Sequence, residues 1–221
     1  MMKSKIAIVQ TSLVSHKELN AMFAQKAPDI KVYNIVDDSL LHEVSTNGHI
    51  TAGIVNRMCK YFDAASSLGV DLILNQCSSV GEAAQIAART VNVPVLRIDQ
   101  PMAEEAVKLG TRIGVVATVG STVTPSCNLI KDMAVKANKP VEVIPYLVNG
   151  ALDVLMREGQ AKHNALVKDT VIQCAEECDV VVLAQGSMII LLPVLNDIKK
   201  PVLSSPESGV DRAIELLRQK L

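Results

Sequence analysis

The chain predicts an α/β fold of two similar lobes, each a parallel sheet flanked by helices, related by a pseudo-two-fold duplication. Three observations predict it. Short apolar runs alternate with longer stretches of helical spacing over all 221 residues, the order that parallel βαβ units require. The short runs are apolar at successive positions, as strands covered by helices on both faces are. The runs also recur. Ile6-Ala7-Ile8-Val9-Gln10-Thr11 reads against Ile113-Gly114-Val115-Val116-Ala117-Thr118, an offset of 107. The nine residues from Asp71 to Ser79 read against those from Asp179 to Ser187, an offset of 108. Val93-Pro94-Val95-Leu96 reads against Lys200-Pro201-Val202-Leu203, again 107. Three matches in order mark a duplicated unit.

In the first half, strands are expected at 6–10, 30–35, 72–75 and 93–98, each short and apolar. Helical spacing fills 17–26, 48–68, 80–90 and 102–109 between and after them. The second half repeats this with strands at 113–117, 141–145, 180–184 and 202–203, and helices at 122–137, 150–158 and 162–178. A final helix is expected from Glu207 to Leu221, packing back on the first lobe. The lobes are expected to divide near Pro101–Gly110, giving 1–103 plus 207–221 as lobe one and 104–206 as lobe two.

Composition narrows the function. Hydrophobic residues make up 49% and charged residues 20%, enough for a substantial core. Aromatics are 2% with no Trp, and net charge is −1 with the basic residues dispersed. Stacking platforms and phosphate-binding stripes are therefore not expected, and nucleic acid is not the expected partner. No apolar run reaches the ~18 residues of a membrane span, and the first residues do not read as a signal peptide. Met1-Met2-Lys3-Ser4-Lys5 leads directly into the first strand. Five cysteines, an odd number, fit a reducing cytoplasm better than a disulfide framework.

Ligands of parallel α/β sheets bind beyond the carboxyl ends of strands. Four polar segments are expected there: Gln10-Thr11-Ser12, Asn75-Gln76-Cys77-Ser78-Ser79, Ala117-Thr118-Val119-Gly120-Ser121-Thr122 and Gln185-Gly186-Ser187. Two come from each lobe, so they are expected to converge on an interlobe cleft. Cys77 lies between a strand and a helix, and a helix N-terminus favours a thiolate, which serves as base or nucleophile. The plainer reading makes Cys77 a small buried strand-end residue. Ser78 and Ser79 can cap the helix and offer donors to an anion. Thr118, Ser121 and Thr122 form a second cradle of hydroxyl and N–H groups, for which ordinary capping is the plainer account.

Cys59 and Cys127 fall on apolar helix faces and read as core. Cys174 and Cys178 are spaced i, i+4, a metal-compatible spacing, but no His or further Cys lies near in sequence, so packing is expected. His16 and His163 read as solvated helix positions, and His42 and His49 as loop residues after the second strand, with His42 a candidate second acid or base beside Glu43. No Gly-Lys-Ser/Thr loop or Gly-x-Gly-x-x-Gly follows a strand, so a nucleotide cofactor is not indicated, and the histidines give little support for a metal.

These residues resemble the aspartate/glutamate racemase superfamily, which includes aspartate, glutamate and hydantoin racemases, maleate isomerase and arylmalonate decarboxylase. Cys77-Ser78-Ser79 matches the first catalytic Cys and the small polar residues after it. Val93-Pro94-Val95, the 102–110 helix and Arg112-Ile113-Gly114-Val115-Val116-Ala117-Thr118 also resemble family segments. The resemblance implies two α/β lobes, a site between them, no cofactor or metal, and carboxylate binding by Ser78, Ser79, Thr118 and Thr122. Gln10 and Ser12 match the family's first loop by position. Leu183-Ala184-Gln185-Gly186-Ser187 departs from the family's Leu-Gly-Cys-Thr, because Gln185 replaces the second thiol.

An amide cannot take a proton near neutral pH. Two-thiol racemisation is therefore not expected unless His42 or another residue substitutes. One-sided chemistry remains: proton transfer by Cys77, protonation after decarboxylation, or reversible thiolate addition to an activated double bond. The leading expectation is a cofactor-independent isomerase acting on a small carboxylate or polyhydroxy acid. A decarboxylase or lyase, or a non-catalytic small-anion binding protein, are the alternatives. A homodimer or higher homo-oligomer is expected, since closed homo-oligomers are the commonest soluble assemblies.

Overall fold

The computed structural model describes residues 4–219. Eight strands appear in chain order: β1 (Lys5–Gln10), β2 (Lys31–Val36), β3 (Leu72–Asn75), β4 (Val95–Arg97), β5 (Arg112–Ala117), β6 (Glu142–Leu147), β7 (Val180–Leu183) and β8 (Val202–Leu203). The helices are α1 (His16–Lys26), α2 (Ser39–Asn47), α3 (Ala52–Ser67), α4 (Gly81–Ala87), α5 (Gln100–Leu109), α6 (Val123–Lys136), α7 (Ala151–Glu158), α8 (Gln160–Glu177) and α9 (Ser205–Arg218). Of the expected terminal segments, Met1-Met2-Lys3 and Lys220-Leu221 lie outside the described residues.

Two four-stranded parallel sheets result, ordered β2-β1-β3-β4 and β6-β5-β7-β8. Their registers repeat as the sequence offsets require. Ile6 pairs with Leu72 in the first sheet and Ile113 with Val180 in the second. The entry to each central strand pair is pinned alike: Asp71 Oδ2 accepts from the Lys5 N–H at 2.9 Å, and Asp179 Oδ2 from the Arg112 N–H at 3.0 Å. Pro145 lies inside β6, whose N–H groups reach β5 from alternate residues, Glu142 to Thr111 and onward to Val148 and Ala117, so Pro145 takes an outward position where its missing N–H costs no ladder bond.

The described residues of Met1–Asp99 and Pro206–Leu221 form one compact unit, and Gln100–Ser205 the other. In the first, Ile6, Ile8, Leu72 and Leu74 face Phe23 of α1 and Val210, Ala213 and Leu217 of α9. The opposite face buries Ala7, Val9 and Ile73 under Met58 and Phe62 of α3 and the alanines of α4. A fully buried Phe or Met contributes about 1.5–3 kcal/mol relative to exposure. In the second unit, Ile113, Val115, Val180 and Val182 pack on α5 and α6, while Val116, Val181 and Leu183 pack on α8.

Three expectations change. The helix expected over 48–68 is α3 alone, and α2 precedes it where no helix was expected. Gly48 adopts φ 71°, the left-handed cap that closes α2, and the Thr51 hydroxyl accepts from the Ile54 N–H at 3.2 Å to start α3. The helix expected over 80–90 is α4 flanked by 3-10 turns at Ser78–Val80 and Ala88–Thr90. A 3-10 stretch, Gly186–Val194, also follows β7 where no element was expected.

Candidate functional site

On the first sheet's carboxyl edge, β1 runs into Gln10, Thr11 and Ser12, and β3 into Asn75, Gln76 and Cys77. The Gln76 N–H donates to the Val9 carbonyl at 3.0 Å, which holds these two strand ends side by side. Cys77 is half-buried, extended at φ −109° and ψ 121°, and packs against the α3–α4 side of the core. The 3-10 turn Ser78–Val80 separates it from α4, which begins at Gly81. Ser78 and Ser79 are buried, Ser12 is half-buried, and Ser79 has a bonding partner within the fold.

Buried polar atoms on this edge are not all matched. Gln10 is 0% and Asn75 1% exposed, yet Gln10 Oε1, Asn75 Oδ1 and Gln76 Oε1 meet no donor among the described residues. Leaving such an acceptor unmatched costs about 1–3 kcal/mol each. The remaining ends are engaged: Gln10 Nε2 donates to Asn34 Oδ1 at 2.7 Å and lies 3.2 Å from His16 Nδ1, and Asn75 Nδ2 donates to the Cys77 carbonyl at 3.0 Å.

Sequence reasoning missed a buried ion pair beside this loop. Arg97, opposite Asn75 in the β3–β4 register, donates from Nε to Asp99 Oδ1 at 3.0 Å and from Nη2 to Oδ2 at 2.8 Å. Arg97 and Asp99 are 5% and 1% exposed. The guanidinium lies against Gly81, where a Cβ would stand 2.3 Å from Arg97 Cζ. Two opposite charges two residues apart in an otherwise apolar strand, Arg97-Ile98-Asp99, were the available signal.

The second sheet's carboxyl edge is arranged differently. Gln185, at the position equivalent to Cys77, accepts the Thr118 N–H on Oε1 at 3.2 Å and donates from Nε2 to Thr122 Oγ1 at 2.8 Å. The Thr122 hydroxyl in turn donates to the Val119 carbonyl at 2.7 Å. The amide therefore clasps the loop expected to cradle an anion, and occupies two of its polar groups. Gly186 is half-buried, Ser187 exposed and Ser121 half-buried.

Cys59 and Cys127 pack in the core, and burial pushes the Cys127 thiol up. Cys174 and Cys178 are buried on the inner side of α8, and burial raises the Cys174 thiol strongly, reinforced by Cys178. Among the described residues no group of three or more His, Cys, Asp or Glu is placed to hold a metal. No described helix is long and apolar enough to cross a membrane.

The histidines need correction. His42 is an exposed residue of α2, and the Glu43 carboxylate beside it is already bound to Thr51 and Arg57. His16 is half-buried against Gln10, and His163 is only 8% exposed, with Nδ1 3.1 Å from Asn164 Oδ1. Neither is a solvated helix position.

The fold and its strand ends define a duplicated parallel α/β protein with one half-buried thiol on a single carboxyl edge. The chain belongs to the Asp/Glu/Hydantoin racemase family, whose model matches residues 9–213. It is similar in fold to a putative Asp/Glu racemase from Yersinia pestis, with TM-score 0.77 and 14% identity over 98% of this chain and 100% of that one. A glutamate racemase from Bacillus anthracis matches with TM-score 0.70 and 17% identity over 100% and 84%. An allantoin racemase from Klebsiella pneumoniae matches with TM-score 0.67 and 18% identity over 99% and 89%. No curated protein matches the sequence.

Proposed function

We propose that the chain is a cofactor-independent isomerase of this family that acts on a small carboxylate or polyhydroxy acid, with Cys77 as its proton-transfer residue. The carrying observation is the asymmetry of the two strand ends. Cys77 is half-buried at the end of β3, while its counterpart Gln185 is an amide fixed to Thr118 and Thr122. A thiol outside the closed core can exchange a proton with a ligand, whereas an amide cannot. Cys127, Cys174 and Cys178 are buried in apolar clusters, and Cys59, half-buried like Cys77, lies within α3 away from any strand end, which supports Cys77 as the reactive one.

In this mechanism the Cys77 thiolate takes a proton from a carbon next to the substrate carboxylate. The resulting thiol returns that proton to the same face at the neighbouring carbon. Hydroxyl and N–H groups at the strand ends would bind the enolate-like charge that develops, the largest effect available without a metal. The test is solvent deuterium incorporation into recovered substrate and product across a panel of small hydroxy, amino and ureido acids. Cys77→Ala should lower exchange by at least about 10³-fold, in line with loss of the acid–base group. Exchange that persists undiminished in Cys77→Ala would remove Cys77 from the mechanism.

A further inference from the structure

A chain of side-chain amides ends on the imidazole of His16. Asn20 Nδ2 donates to the His16 carbonyl at 2.7 Å, and a backbone carbonyl only accepts, so Asn20 Oδ1 accepts from Asn34 Nδ2 at 3.1 Å. Asn34 Oδ1 then accepts from Gln10 Nε2 at 2.7 Å. That fixes the nitrogen end of the Gln10 amide, which also lies 3.2 Å from His16 Nδ1. An amide nitrogen only donates, so His16 Nδ1 accepts and the neutral ring carries its hydrogen on Nε2. Nε2 bonds to nothing among the described residues. The residue is half-buried, and Nε2, unlike Gln10 Oε1, is not sealed from solvent.

The scaffold does not require this chain of bonds. His16 opens α1 as Val123 opens α6, and the same duplication sets Gln10 against Ala117 and Asn20 against Cys127. Asn34 pairs with Ile8, and Pro145 with the equivalent Val115. The second unit thus closes the same corner with apolar residues. The first keeps polar ones and strands Gln10 Oε1 in doing so, at a cost of about 1–3 kcal/mol. What the arrangement gains is a ring of fixed orientation and tautomer with a free donor.

Ligands of parallel sheets bind beyond the carboxyl ends of strands, and His16 stands at that edge. It touches Gln10, the last residue of β1, which lies beside Gln76 and the start of the Cys77 loop across the β1–β3 pair. Gln10 and His16 are on the α1 side of the sheet, and Cys77 is on the α3–α4 side. A ligand lying across the edge meets the thiol from one side and the imidazole N–H from the other. Asp37, just past the end of β2, is held by Ser39, Tyr61 and Arg57 and does not claim that N–H.

Resting on the Cys77 reading above, we propose that His16 binds the substrate, donating from Nε2 to its carboxylate while Cys77 works on the adjacent carbon, and that Gln10 is the positioning residue that fixes the ring. Nitrogen-15 NMR of the histidine rings in the full chain at about pH 8, where an ordinary histidine is neutral, gives the first readout. His16 should show the Nε2–H tautomer, and Gln10→Ala should turn it into a mixture. Acetate, malonate and malate are the probes, with malonamide as the uncharged control. At least one acid, and not malonamide, should shift His16 Nε2 in a saturable way. His16→Val, the residue at the equivalent place in the second unit, should weaken that acid roughly 10–100-fold in calorimetry. His16→Gln keeps an N–H donor near the same point and should recover most of the loss. In the exchange assay His16→Val should raise KM far more than it lowers kcat, the opposite of Cys77→Ala.

An Nδ1–H tautomer in the unaltered chain overturns the proposal, as does acid binding that is unchanged in His16→Val. So does failure of all three acids to bind at millimolar concentration. Cys77-dependent exchange with a KM unmoved in His16→Val sinks this inference and leaves the Cys77 reading in place. His16-dependent binding together with exchange undiminished in Cys77→Ala does the reverse.

Discussion

Arg97→Met is expected to cost about 3–5 kcal/mol of stability, the usual penalty for stranding one charge of a buried pair. The structure places this pair at that end of the range. Asp99 is 1% exposed and receives two parallel bonds, at 3.0 and 2.8 Å, so both carboxylate oxygens lose their donors together. The Met stem fills most of the Arg volume against Gly81, which keeps cavity effects small. Removing both charges in Arg97→Met/Asp99→Asn should return the protein to within about 1–2 kcal/mol of the parent, because a buried pair is nearly balanced by its desolvation. Urea unfolding followed by circular dichroism measures this. With a slope of about 2–3 kcal/mol per molar, the single variant should lower the midpoint by roughly 1–2 M. A single-variant cost under about 1 kcal/mol, or a double variant that is simply additive, refutes the claim that the pair is desolvated and coupled.

Two further outcomes follow from the packing and the charges. A Cβ on Gly114 would lie 2.0 Å from Cys174 Sγ and 3.1 Å from Cys178 Sγ. Gly114→Ala should therefore destabilise by about 1–3 kcal/mol, and Cys174→Ala in the same chain should recover part of it, as read by thermal unfolding. Burial opposes the charge on Asp37, but hydrogen bonds from Ser39 and Tyr61 and the nearby Arg57 prevail and hold its carboxyl below 3.8. A depressed carboxylate stabilises fully above its unfolded value and loses that contribution as pH falls through the folded one. The stability gap between the parent and Asp37→Asn, measured from pH 7 downward, should thus be largest above pH 3.8 and shrink below it.

Hydrophobic runs and their repetition made the strands legible. β3 and β8 occupy the residues expected of them, because buried parallel strands are short, uniformly apolar runs. The interval between Val36 and Ala52 was misread because Gly48 was counted as a helix start. Its backbone at φ 71° ends α2, and the Leu40/Val44 spacing of that short helix went unused. The replacement of the second thiol by Gln185 was visible, but its clasp was not, since the bonds reach back 63 and 67 positions to Thr122 and Thr118. The Arg97–Asp99 pair and the unmatched amide oxygens were hidden for a related reason. Adjacent charges in a sequence do not say whether they meet water or each other, and a Gln reads as polar whether or not its donors are spent.

The exchange of closing helices between the two units bears on how the chain is made. α9 supplies Val210, Ala213, Ile214 and Leu217 to the core of the first unit and is tied to α1 by Lys26, through Glu207 at 3.1 Å and Asp211 at 2.7 Å. The second unit, Gln100–Ser205, is contiguous in the chain, whereas the first is not. During synthesis the second unit can therefore close as soon as it leaves the ribosome. The first, though translated earlier, has only α1 to cover the apolar face of Ile6, Ile8, Leu72 and Leu74 until α9 arrives. That reverses the usual amino-to-carboxyl order of domain completion, and it makes the thiol-bearing half the last to mature.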